Sequence, residues 1–152
     1  ALMDLKAKEH AEQVALIKWK RLHVSEYAGL ECLYSVPNAE SDMKKLAYKK
    51  AEGLLAGVSD LCLPIARGKY HGLYIEMKKR DGGNKGSEKQ VAWGRAMHHY
   101  GNKHVFAWGF DEARQAIRDY YSLGEFGDDK ICREQYSITT THQSTEGQRI
   151  PF

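Results

Sequence analysis

The sequence has few cysteines and no long apolar run. Its three cysteines, Cys32, Cys62 and Cys132, lie far apart and form no C-x-x-C pair. This pattern argues against a disulfide framework or a zinc ribbon, and it indicates a reducing compartment. No stretch approaches the roughly 18 apolar residues of a membrane span, and the charged, amphipathic N-terminus does not resemble a signal peptide. We therefore expect a cytoplasmic protein that has no membrane partner.

Two further kinds of site are also missing from the sequence. The pattern G-x-x-x-x-G-K-[ST] occurs nowhere, which excludes a P-loop NTPase. His98, His99 and His104 lack the partners that would complete a zinc site. The net charge is +3, and because residues 122–152 hold five acidic and three basic residues, the basic excess lies in residues 1–121. A nucleic-acid partner is permitted by this charge but not required by it.

Hydrophobic spacing and turn residues predict four helices and four strands. The helices are expected at about 4–23, 42–54, 88–100 and 111–121, with Asp4, Ser87 and Asp111 as N-caps. The strands are expected at about 33–36, 60–63, 72–78 and 104–108, with a weaker signal at 136–140. This order predicts an α/β fold with a mixed central sheet flanked by helices. We expect one core domain over 1–123 and a polar C-terminal extension over 124–152 that packs on the core or on a second subunit.

Charged residues interrupt two strands that should otherwise bury apolar side chains. Side chains alternate along a strand, so Glu76 and Lys78 share one face, and a hairpin of strands 60–63 and 72–78 would bring Asp60 toward Glu76. Two close carboxylates need a cation or a proton between them, and Mg²⁺ or Mn²⁺ would serve while leaving sites for phosphate oxygens. A surface ion pair is the alternative, since a Glu-x-Lys pattern alone is weak evidence for a catalytic site.

An ordered series of short motifs extends from residue 9 to residue 121. It comprises Glu9–Ala15 followed by Trp19; Val36-Pro37-Asn38; Ala51-Glu52-Gly53; Ala56–Leu61; Tyr70–Lys78; Ser87 with Gln90; and Gly109 with Glu112-Ala113. In this series the chain resembles the VRR-NUC branch of the PD-(D/E)XK nuclease superfamily, in its short, stand-alone, phage-type form. The resemblance implies an αβββαβ-like core, a metal-dependent endonuclease and a product with a 5′-phosphate.

The resemblance also implies the roles of individual residues. By position, the metal ligands are Asp60, Glu76 and the backbone carbonyl of Met77, and Lys78 is the catalytic lysine. Mg²⁺ or Mn²⁺ is the implied cofactor. Gln90 is similar to the family's helical glutamine near the site.

Two details of the match need comment. The family's usual proline before the aspartate is Ser59 here, and since that proline supplies backbone shape and no ligand, we expect the chemistry to survive. Glu9 resembles the family's helix-borne acid in or near the metal shell. Glu12 remains the alternative, because it lies only about 60° away around the helix.

Several residues are candidates for DNA contact. Lys79, Arg80 and Lys85 directly follow the catalytic strand and are expected to contact the DNA backbone. Lys49 and Lys50 form either a solvated helix face or a second phosphate contact. A sixth residue, Asn38, is either a turn residue or, by resemblance, part of a segment near the active site.

The implied substrate is branched DNA. A bare core of this size is expected to act as a homodimer, and two sites related by a two-fold axis suit a four-way junction, so the leading hypothesis is a Holliday-junction resolvase. A flap or branched-end nuclease is the alternative enzyme, and a non-catalytic DNA-binding module is the alternative of another class. The implied location is the cytoplasm of a bacterium or of a phage-infected host.

Overall fold

The computed structural model describes residues 2–37, 42–81 and 85–127 of the 152-residue chain. The elements, in chain order, are α1 (Leu2–His23), a 3₁₀ helix (Leu30–Cys32), β1 (Tyr34–Ser35), α2 (Met43–Ala51), β2 (Leu61–Leu63), β3 (Leu73–Lys78), α3 (Glu88–His99), β4 (Lys103–Trp108) and α4 (Phe110–Ser122). The order matches an αβββαβ core in which α2 is inserted between the first two strands and α4 is added at the end.

The four strands form one mixed sheet in the order β1-β2-β3-β4. β1 pairs antiparallel with β2, and β2 pairs antiparallel with β3, as the predicted hairpin requires. β4 pairs parallel with β3, and α3 makes the crossover that a parallel pair needs. The predicted α/β class, a mixed sheet flanked by helices, is confirmed.

The main core lies on one face of this sheet. Leu73, Ile75 and Met77 of β3 are fully buried there, together with Leu16 of α1 and Ile117 of α4. Fully burying a side chain of this size contributes roughly 1.5–3 kcal/mol. The alternate residues of β3, which include Glu76 and Lys78, face α3 instead. α1 and α4 thus pack on the apolar face of β3, and the candidate site lies on its other face, which α3 covers.

Two predicted helix caps are wrong, and one is confirmed. α1 begins at Leu2, so Asp4 lies inside the helix and is not its N-cap. α4 begins at Phe110 with Gly109 as N-cap, so Asp111 falls in its first turn. The reason is that the Phe110 N–H is satisfied from outside, by Glu12 Oε2 at 2.7 Å, and no local cap is needed. Ser87 does cap α3.

Some predictions fall outside the described residues. These are the role of Asn38 and the strand at 136–140, together with most of the proposed extension. Its first residues, 124–127, contact the core: the Phe126 ring lies 5.3 Å from His71, and the Gly127 N–H donates to the Gly68 carbonyl. Within the described ranges, the helices are too short or too polar to cross a membrane.

Candidate active site

The antiparallel pairing of β2 and β3 brings two carboxylates together. Leu61 pairs with Ile75, so Asp60, the residue before β2, lies opposite Glu76. Asp60 Oδ2 accepts the Met77 N–H at 2.8 Å, which fixes the carboxylate against β3. Glu76 is only 2% exposed. The sequence-predicted approach of Asp60 to Glu76 is therefore present in the fold.

Gly57 lets the segment before Asp60 pass close to α3. Its φ is +93°, and a Cβ added there would lie 2.6 Å from the Lys89 carbonyl oxygen. A larger residue would have to push the segment away from the helix. Ser59, which occupies the position of the family's proline, is fully buried in the same segment. The glycine thus contributes to the position of the aspartate.

Burial makes both carboxylates reluctant to ionise, and repulsion by Asp60 adds to this effect at Glu76. Burial, followed by the nearby Asp60 carboxylate, raises the pKa of Glu76 to about 7, although the Lys78 ammonium opposes the shift. Burial also raises the pKa of Asp60, while its bond from the Met77 N–H acts in the other direction. Such a pair is costly without a compensating cation, which is the situation that a bound divalent metal relieves.

Lys78 is held inside the site by two oxygen acceptors. Its Nζ donates to Glu76 Oε1 at 3.1 Å and to Gln90 Oε1 at 2.8 Å, and the residue is only 5% exposed. The Gln90 side-chain amide in turn donates to Glu76 Oε1. The three side chains that the sequence assigned to strand β3 and helix α3 thus form one closed hydrogen-bond network.

The start of α3 holds Gln90 in this network. Ser87 and Gln90 form a capping box, in which Ser87 Oγ accepts the Gln90 N–H and Gln90 Oε1 accepts the Ser87 N–H at 2.8 Å. The same Gln90 oxygen accepts from Lys78, so one side chain both caps the first turn of α3 and positions the lysine.

The residues fit a divalent metal ion. Glu76 Oε2 is buried and has no hydrogen-bond partner among the described residues, and hard oxygen donors suit Mg²⁺ and Mn²⁺. Within residues 2–37, 42–81 and 85–127, no set of three His, Cys, Asp or Glu side chains is grouped as a complete metal site. A metal ion on Asp60 and Glu76 would therefore complete its shell with other oxygens, such as water, phosphate or a backbone carbonyl.

The two acids of α1 differ in their surroundings. Glu12 accepts from the Arg80 guanidinium at 3.1 Å and from the Phe110 N–H, so it joins α1 to the end of β3 and the start of α4. Arg80 and the Phe110 N–H lower the pKa of Glu12. Glu9 is half-buried and its charge acts on Glu76, contributing to the raised pKa of that residue. The charge of Glu9 therefore reaches the site, whereas Glu12 serves the packing of the helices.

Glu9→Ala and Glu12→Ala are expected to affect different properties, the first the rate of DNA cleavage and the second the stability of the fold. Glu9→Ala should lower the cleavage rate by about 10–100-fold, as for a group that supports a metal site, with little change in stability. Glu12→Ala should lower the free energy of unfolding by about 0.5–2 kcal/mol, because it removes the acceptor for an end of α4. Urea unfolding and cleavage kinetics on both variants check this. A Glu12→Ala protein of parental stability that has lost cleavage would reverse the assignment.

The predicted DNA-contact residues are spread around the site. Lys79, half-buried, lines a cavity of about 430 Å³ together with Lys8 and Arg80. Arg80 is engaged by Glu12 and, at 3.2 Å, by Asp111. The remaining lysines are exposed, Lys85 ahead of α3 and Lys49 and Lys50 in the last turn of α2. Their contacts with DNA stay predictions, as does the metal role of the Met77 carbonyl.

Two contributors to the site were missed in the sequence. The Glu12, Arg80 and Asp111 cluster joins residues that are far apart in the chain, and local spacing carries no signal for it. Phe106 lies below Lys78, whose Nζ is 5.8 Å from the centroid of the Phe106 ring. Strand alternation in β4 does place Phe106 on one face with His104, but only the register with β3 brings it beside Glu76.

Comparison with solved structures finds a VRR_NUC domain protein that is 30% identical in sequence, with a TM-score of 0.68. The match covers 78% of this chain and 92% of that chain. No protein-family model matches the sequence, and neither does any curated protein.

Proposed function

The chain belongs to the VRR-NUC family of nuclease domains, and from this membership and the geometry of the site we propose that it is a metal-dependent DNA endonuclease of the PD-(D/E)XK type. The observation that carries the proposal is the pair of the half-buried Asp60 and the buried Glu76, with Glu76 Oε2 lacking a partner among the described residues and the Lys78 ammonium held 3.1 Å from its other oxygen. Two repelling carboxylates beside a fixed cation suit metal-assisted attack on a phosphodiester.

The metal ligands in this proposal are Asp60, Glu76 and the backbone carbonyl of Met77, with Glu9 nearby. When bound, Mg²⁺ or Mn²⁺ would acidify a water molecule and offset the negative charge that builds up on the phosphate. The chain's own contribution is a rigid arrangement of the donors. Asp60 is tied to the β3 backbone through the Met77 N–H, and Glu76 is fixed by Gln90 and Lys78.

Lys78 acts on the attacked phosphate in this mechanism. Its ammonium group has two fixed acceptors and keeps one further N–H, with which it is proposed to orient the attacking water or contact a phosphate oxygen. Water attacks the phosphorus in line and the 3′-oxygen leaves, so the product keeps a 5′-phosphate. Preorganised charge of this kind needs no rearrangement during the reaction.

The proposed substrate is branched DNA, and the proposed active form is a homodimer. An isologous dimer sets two sites in antiparallel orientation, which suits the paired cuts that resolve a four-way junction. Lys79 follows β3 and Lys85 precedes α3, and both are proposed to contact phosphates. Lys49 and Lys50 are proposed to supply a second basic surface. Binding is then expected to weaken as salt rises, because phosphate contacts release counterions.

A cleavage panel tests the proposal. Linear duplex, single strand, flap and four-way junction are incubated with the protein in Mg²⁺, in Mn²⁺ and in chelator, and the mass in solution is measured in parallel. We expect cleavage only with metal, strongest on the four-way junction, by a dimer of the 17.3 kDa chain. Metal-dependent cutting of the flap but not of the junction would select the flap nuclease. A monomer that still makes paired cuts would refute the symmetric mechanism.

A further inference from the structure

A groove of about 500 Å³ lies between α3 and β4, on the same face of the sheet as Glu76 and Lys78. Arg95, His98 and His99 of α3 line one side, and His104 and Phe106 of β4 line the other. No acidic residue of the described part of the chain lines it. The groove therefore combines aromatic rings with basic side chains and suits a polyanion that carries flat groups.

The groove starts at the catalytic lysine. Phe106 pairs with Glu76 in the parallel register, and its ring centroid lies 5.8 Å from Lys78 Nζ. Because side chains alternate along β4, His104, Phe106 and Trp108 form a row on this face. The ring of Phe106 lies 5.0 Å from that of His104 and 6.2 Å from that of Trp108. A nucleic-acid strand that leaves the site past Phe106 would therefore meet this row of rings.

The His104 ring forms part of the groove wall. It lies close under α3, since a Cβ added at Gly94 would be 2.6 Å from His104 Nδ1. Its Nε2 is buried and has no hydrogen-bond partner among the described residues. Burial lowers the pKa of His104, so the ring is neutral at physiological pH.

We propose that this groove binds single-stranded DNA adjacent to the cut, with a base stacked on Phe106 and a phosphate contacted by Arg95. Aromatic rings beside basic groups are how proteins hold single strands without reading sequence, and stacking needs a base that is free of its pair. The inference rests on the proposed nuclease function and refines its substrate: nucleotides at the branch point, beside the cleaved bond, are held unpaired in the groove, and a continuous duplex is disfavoured.

Binding of a short fluorescein-labelled oligothymidine, measured by anisotropy in chelator, tests the groove. Phe106→Leu keeps an apolar side chain and removes the stacking surface, and should weaken binding about 5- to 100-fold, the range measured for stacked bases. Arg95→Ala should weaken binding and reduce its dependence on salt. Lys18→Ala, an exposed change on α1 across the sheet, is the charge-matched control and should bind like the parent.

Unchanged affinity in both Phe106→Leu and Arg95→Ala would overturn the proposal. If Phe106→Leu fails to fold, the exposed Arg95 variant alone decides. A parent dimer that becomes monomeric in these variants, with no loss of oligothymidine binding, would show that a second copy of the chain covers the groove, and would also overturn it. Since no metal is present, groove binding and cleavage fail separately: a protein that binds through Phe106 but never cuts DNA keeps the groove and loses the nuclease mechanism.

Discussion

Replacing Lys78 by Met is expected to lower the single-turnover rate of DNA cleavage by about 10²–10⁴-fold. Lys78 is the one fixed ammonium in the described site, and Met keeps most of its apolar stem above the Phe106 ring while removing the charge. Substrate binding should change much less than the rate, because the other lysines that are proposed to contact phosphates are unchanged. Rates at saturating enzyme, together with binding measured in chelator, separate the two effects.

Lys103→Met is the matched control for this experiment. Lys103 is also a strand lysine with its ammonium beside an aromatic ring, 5.4 Å from the centroid of Tyr70, but it lies at the opposite end of the sheet from Lys78. The Lys103→Met variant should cleave DNA at the parental rate. Equal rates for Lys78→Met and the parent would show that the lysine is a buried ion-pair partner and has no part in the reaction.

Asp60→Asn is expected to abolish cleavage and yet stabilise the metal-free protein. Because the pKa of Glu76 is raised to about 7 from an ordinary value of 4.5, the folded chain holds that proton more tightly than the unfolded chain does. The free energy of unfolding therefore falls as pH rises from about 4.5 to about 7, and the whole decrease is present above that range. Asn still accepts the Met77 N–H and removes the charge that faces Glu76.

The expected gain is about 1–2 kcal/mol in the free energy of unfolding near pH 8, since one unit of pKa corresponds to about 1.4 kcal/mol. The gain should vanish near pH 4, where the Glu76 carboxyl of the parent is protonated. Urea unfolding in chelator at both pH values measures this, and added Mg²⁺ should stabilise the parent but not the variant. Asp119→Asn, an exposed change on α4, is the control and should change the free energy of unfolding by the same small amount at both pH values. Equal destabilisation of Asp60→Asn at both pH values would contradict a repelling carboxylate pair.

Local patterns were sufficient for the parts of the site that lie on one strand or one helix end. Strand alternation placed Glu76 and Lys78 on one face, and the hairpin brought Asp60 opposite Glu76. The Ser87 cap signal marked the start of α3, where Gln90 sits. These features depend on spacings of a few residues, which the sequence displays directly.

The contacts between distant elements were not predictable in this way. Glu12 and Arg80 are 68 positions apart, and their pairing depends on how α1 lies against β3 and α4. The same packing supplies the acceptor for the Phe110 N–H, which is why the cap expected at Asp111 is wrong. Likewise, the parallel register across the α3 crossover brings Phe106 beside Lys78. Tertiary packing decides each of these contacts.

The most direct test of the site is the rate at which Glu76→Ala cleaves a labelled four-way junction in Mg²⁺, compared with the parent and with Glu31→Ala, an exposed change on the 3₁₀ helix. Glu76→Ala removes a proposed metal ligand and an acceptor of Lys78, so circular dichroism must accompany the kinetics to show that the variant is folded. We expect no detectable cleavage by a folded Glu76→Ala protein and parental cleavage by Glu31→Ala. Cleavage by Glu76→Ala at the parental rate would contradict this expectation.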